Sequence, residues 1–222
     1  MKTMGLVLSF LMVCSAWGAD KMHFHNLGFS PDASHFAFAN SIVKDGTGFP
    51  FARVSVIRIA DDALVDSKSV TIEDGSSWQE KEALQRAQTA ASLEKYNITP
   101  GRSLGEDEAV RQLHPQVLVF TSEKTAYTVN LRELTNGNVN DGSSIADTAC
   151  GNKMMKVTLA AGGKTTVLHE DHIQPNSRFC SRNYKLVKVI TQGKSLVVVV
   201  AYDSPGFNGD DTSYTVVSGV LP

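Results

Sequence analysis

The stretch GFSPDASHFAFANSIVKDGTGFPFARVSVIRIADD, residues 28–62 of a 222-residue chain, limits the fold more than any other part. Phe24, Leu27 and Phe29 lead into a Ser30-Pro31-Asp32 turn, where proline presets φ and aspartate can bond its own backbone. Phe36 and Phe38 then face one side, and Ala37 and Ala39 the other, which is the two-residue period of a strand. KDGTGFP, residues 44–50, is a glycine loop. Val54, Val56 and Arg58 alternate with Ser55, Ile57 and Ile59. This predicts a strand buried on both faces for most of its length. A turn at ADDA and a strand over 64–72 complete a four-stranded antiparallel meander, the form of one propeller blade.

The pattern then changes. SSWQEKEALQRAQTAASLEKYNITPG is rich in Ala, Glu, Gln and Leu, and it predicts a helical insertion near residues 77–97. Ser77 and Glu80 have capping-box spacing, and Glu82 and Arg86 stand at i, i+4. Leu84, Ala87 and Ala91 mark the apolar stripe. Asn97, Pro100 and Gly101 stop the helix. GEDEAVRQLHP, residues 105–115, reads as a short second helix ended by Pro115.

From Val117 the chain returns to strands. Hairpins are expected at Gly162-Gly163, where positive φ is free of steric cost, and near Gln192-Gly193. The run Leu196–Ala201 is uniformly apolar and predicts a central strand. The fold class is therefore mainly β: antiparallel meander and hairpin sheets, a propeller-blade-like unit joined to further β-sheet, with one helical insertion. About ten strands are too few for a ring of at least four four-stranded blades.

The N-terminus has the layout of a secretory signal peptide: Lys2, an apolar run over Met4–Val13, then small residues. The run is shorter than a membrane-spanning helix needs. Ala16 and Gly18 place cleavage after Gly18, leaving residues 19–222 as a single exported domain, periplasmic or secreted. Val13 stands before Cys14 where a lipoprotein signal has a small residue. The chain has 21 Lys and Arg against 23 Asp and Glu. Such a balance has no excess positive charge for nucleic acid. No later segment is apolar and long enough to span a membrane. Of three cysteines, Cys14 leaves with the signal. Cys150 and Cys180 are then expected to form a disulfide, closing a loop of about 30 residues, worth roughly 3–4 kcal/mol.

Motifs that carry chemistry are sparse. HEDH has His169 and His172 three apart rather than at the zincin i, i+4 spacing, and it reads as a solvated loop. His23 and His25 share a strand face but lack a third ligand. There is no G-x-S-x-G elbow and no phosphate loop. No cofactor or metal is expected. The alternative is calcium at NVNDG or NGDD, where oxygen ligands adjoin glycines without EF-hand spacing. Arg178, two residues before Cys180 in a turn, is suited to clamp a carboxylate, either a ligand's or the protein's own. The loops KDGTGFP and SPGFNGDD share glycines, aspartate and one phenylalanine. Asp45, Phe49, Phe207 and Asp210 are therefore a candidate recognition surface, with Phe as anchor and Asp as rim.

The blade-like stretch, the segment QPNSRFCSRNYKL and the closing SPGFNGDDTSYTVV together resemble a bacterial family of predicted secreted proteins, domain of unknown function 2259. The motifs carrying this are P-x-S-R-x-C with a following Tyr, and PGF-x-G-x-D. The FSPD opening also resembles blades of TolB-type propellers. The resemblance implies export and no particular activity. The expected function is a non-enzymatic binding or scaffolding module for a protein or small-molecule partner. The alternative is a periplasmic hydrolase with a site built on loops 44–50 and 204–211.

Overall fold

The computed structural model describes residues 19–135, 153–172, 178, 180–206 and 209–222. The meander forms as its alternation predicts. Strands β1 (His23–Phe29), β2 (His35–Val43), β3 (Pro50–Arg58) and β4 (Ala63–Thr71) make one antiparallel sheet in sequence order. Its two faces have different fates. Ala37, Ala39, Ala52, Val54 and Val56 are small, so helix α1 (Glu80–Ala90) can lie close, burying Ala83 and Ala87 against them. Phe29, Phe36, Phe38 and Ile57 project from the other face.

Those aromatics pack on Ile190, Val197, Val199 and Val216. These belong to a second sheet of β5 (Glu106–Asp107), β11 (Arg182–Gln192), β12 (Ser195–Gly206) and β13 (Gly209–Val220), ordered β13-β12-β11-β5. The opposite face of that sheet, with Leu186, Val189, Val198, Val200 and Val217, meets a third. This third sheet runs β10-β9-β8-β7-β6, from β6 (Arg111–His114), β7 (Val117–Ser122), β8 (Thr125–Thr135), β9 (Lys153–Ala161) and β10 (Lys164–Glu170). The order of layers is thus helix, first sheet, β11–β13 sheet, β6–β10 sheet. The uniformly apolar run Leu196–Ala201 of strand β12 is buried on both faces, and the strand is central as its sequence predicts.

Three expectations are corrected. Residues 105–115 are not helical. Glu106–Asp107 pairs with β11, and Arg111–His114 with β7. Their helix-favouring side chains yield to backbone pairing at two open sheet edges, as propensity does in tertiary context. The Ser77–Glu80 capping box is absent: Gln79 is the N-cap, without a side-chain cap bond. Glu80 is instead drawn to His23 and Ser41 on the neighbouring sheet. The α-helix also stops at Ala90, and a short 3₁₀ turn, Leu93–Tyr96, carries the chain to Asn97 in the left-handed region.

Strand β1 bends at a bulge between Asn26 and Gly28. Gly28 sits at φ +111°, where a Cβ would lie 2.2 Å from the carbonyl oxygen of Arg102. Both the dihedral and the close approach require glycine. Gly28→Ala should lower the unfolding free energy by about 2 kcal/mol or more. A denaturant midpoint unchanged from wild type would show that the segment at Arg102 yields freely.

Candidate functional site

Between the first sheet and the β11–β13 sheet, the aromatic core gives way to a polar cleft. The side chains that should continue the apolar face beyond Phe38 are Asn40 on β2 and Arg53 on β3. The two are direct cross-strand partners and so project side by side. Two adjoining cavities, of about 130 and 290 Å³, share Asn40, Arg53 and Tyr202. Met22, Phe51, Ser204 and Ser213 complete the smaller one. The larger extends past Ser55, Tyr214 and Val216 to Asp62, His169 and Arg178.

Asn40 is 7% exposed. Its amide nitrogen donates to the Tyr214 carbonyl at 2.7 Å, which fixes the amide orientation, since a flip would set oxygen against oxygen. The Asn40 Oδ1 then has no partner among the described residues. A buried acceptor left so costs about 1–3 kcal/mol. Beside it, the Arg53 guanidinium lies 5.8 Å over the Phe51 ring and meets no carboxylate among the described residues. Burial raises the Tyr202 phenol above its ordinary pKa, against the pull of Arg178 and Arg53.

The far end of the cleft is closed by an ion network that joins all three sheets. Asp62, in the β3–β4 turn at φ 54°, accepts from the Ser218 backbone N–H at 2.7 Å and hydroxyl at 2.9 Å. Its second oxygen lies 2.6 Å from His169 Nδ1. His169 Nε2 lies 2.9 Å from Asp171. A bulge between Val167 and His169 on β10 sets this imidazole between the two carboxylates. Asp171 in turn accepts both arms of Arg178, at 2.6 and 3.0 Å, and the Met155 N–H at 2.8 Å. Burial by itself would lower the His169 pKa; bonds to Asp171 and Asp62 overcome that and raise it to about 9. Burial would raise Asp171, but His169, Arg178 and the Met155 amide hold it well below the usual carboxylate range. With a carboxylate oxygen against each ring nitrogen, the geometry favours a His169 cation that donates from both.

The family model of domain of unknown function 2259, described as a predicted secreted protein, matches residues 37–219. The chain belongs to this family. The span matched to the 2259 family holds Asn40, Arg53, Asp62, His169, Asp171, Arg178 and Tyr202, but starts after the FSPD opening. No curated protein matches the chain.

The residues singled out in this 2259-family sequence are placed as follows. Arg178 is a buried clamp on the protein's own Asp171, the second of its two expected roles. HEDH is not a solvated loop, because Asp171 and His169 are drawn into the network. Asp45 donates its backbone N–H to the Asp20 carboxylate, and the Asp20 N–H donates to Asp211. One N-terminal segment thus touches both candidate loops. Phe49 stacks on the exposed Trp78 at 6.1 Å, while Asp210 pairs with Arg182. Phe207, Cys150 and the NVNDG stretch lie outside the described residues, as does Asn208 of NGDD. His23 Nδ1 is 2.8 Å from Glu80, and His25 Nε2 donates to Ser41 at 2.6 Å. Among the described residues no group of His, Cys, Asp and Glu is placed to hold a metal ion. No described helix is long and apolar enough to cross a membrane.

Sequence reasoning missed Asn40 and Arg53. The signal was present: Phe36, Phe38 and Asn40 share one strand face, so Asn40 is a polar residue at a core position. Asp62 and His169 are 107 residues apart, and no local pattern joins them.

Proposed function

We propose that this chain, exported with removal of residues 1–18, is a periplasmic or secreted, non-enzymatic binding module. Its ligand site is the cleft between the first sheet and the β11–β13 sheet. The observation that carries this reading is the pair Asn40 and Arg53, a buried acceptor beside a guanidinium that meets no carboxylate among the described residues. Folding leaves the Asn40 oxygen unsatisfied and the Arg53 charge uncompensated among the described residues, whereas a bound ligand would satisfy both. The network at the cleft's end supports binding over hydrolysis. His169 donates from both nitrogens to carboxylates, so it has no lone pair with which to accept a proton from a nucleophile.

A thermal-shift screen of small metabolites tests this. Stabilising compounds should lose their effect on Arg53→Ala. Compounds that stabilise both proteins equally, or none that stabilise either, would count against the cleft.

The same reading keeps Cys150 and Cys180 as a disulfide. Cys180 is 8% exposed and follows Arg178 by two residues, so a crosslink there would hold the clamp's backbone. In the folded, exported protein neither thiol should react with a maleimide before unfolding and reduction. Stoichiometric labelling of the native protein would contradict the pairing.

A further inference from the structure

Building on the ligand cleft, we infer that its ligand is a small carboxylate bearing an N–H or O–H donor on the adjacent carbon, an α-amino or α-hydroxy acid. The two anchoring groups differ in sign of demand. Arg53 presents a planar fork of donors, which pairs best with a carboxylate. Asn40 Oδ1, its cross-strand neighbour, can only accept. A ligand that satisfies both carries an anion and a donor close together, since the two residues are direct cross-strand partners. Inorganic phosphate keeps a P–OH that could donate to the Asn40 oxygen, but it is tetrahedral and has no apolar part to set against Phe51 and Met22, so it serves as the competing probe. A plain carboxylate leaves that oxygen unpaired.

Charge and size agree with this choice. Among the described residues, Arg53 is the one charged group lining the smaller cavity. In the larger cavity, the charges of His169 and Arg178 are met by Asp62 and Asp171, leaving Arg53 as the excess. Cavities of about 130 and 290 Å³ lie below or at the low end of the usual range for ligand pockets, so the ligand has few heavy atoms. Phe51 and Met22 offer apolar wall to a short side chain.

The test is a titration of the ¹⁵N-labelled full mature chain, followed by amide shifts, with L-alanine, L-lactate, propionate and inorganic phosphate. L-Alanine or L-lactate should shift the amides of Asn40, Arg53 and Tyr202. The better of the two should bind at least about tenfold more tightly than propionate, since a site built around a hydrogen bond rejects the analogue that lacks it. Tighter alanine binding assigns an ammonium to Asn40, and tighter lactate binding a hydroxyl; either supports the inference. Arg53→Gln should abolish the shifts. If that variant fails to fold, Arg53→Lys should bind more weakly than wild type. Propionate binding as well as the others, phosphate binding in their place, or no shift with any probe at millimolar concentration would overturn it. A screening hit of other chemistry that depends on Arg53 would leave the cleft a ligand site and remove only this assignment.

Discussion

Arg178→Met is expected to cost about 3–5 kcal/mol of unfolding free energy, the usual penalty for breaking a buried ion pair from one side. Arg178 is 5% and Asp171 6% exposed. Removing the guanidinium takes two hydrogen bonds from a carboxylate that cannot reach water. It also takes the donor that Tyr184 accepts at 2.9 Å. Arg178→Lys should recover little, because an ammonium cannot span both oxygens of Asp171. Denaturant unfolding with an unchanged m-value reads the loss directly. A cost below about 1 kcal/mol, the range of exposed pairs, would mean that the clamp is solvated.

The second large effect is a pH dependence centred on His169. Its folded value, about 9, lies above the 6.5 of an unperturbed imidazole. The stability it contributes is therefore whole below pH 6.5 and is lost as pH rises through about 9. The size is on the order of 3 kcal/mol. The charged groups facing the imidazole are Asp62 from the β3–β4 turn and Asp171, with Arg178 behind the latter. Asp171 works in the opposite sense: its value is depressed, so its contribution is present above its unfolded value of 3.8 and fades in acid. Wild type should lose stability between pH 6.5 and 9, and His169→Gln should be nearly flat over that window. A flat wild-type profile would place a neutral imidazole between the carboxylates.

The contrast between these residues and the blade shows what a sequence discloses. Phe36 and Phe38 against Ala37 and Ala39 announced two unlike faces, and the structure puts aromatic core on one and a close helix on the other. The apolar run in β12 announced a central strand, and the structure places it inside its sheet. Period and composition act locally, so they are legible. Residues 106–114 were not, since their strands depend on which sheet edges stand open far along the chain. The three-sheet network was not, since its members come from a turn, a bulge and a loop that only stacking brings together. Arg178 is intermediate. Its chemistry pointed to a carboxylate, and the fold chose Asp171, seven residues away.

The central claim, that the cleft at Asn40 and Arg53 holds a ligand, is tested most directly by native mass spectrometry. The protein would be purified from its own extracytoplasmic compartment as wild type and as Arg53→Gln. The account predicts a small non-covalent mass on wild type that denaturation removes and the variant lacks. Wild type carrying no added mass, or both proteins carrying the same one, would contradict it.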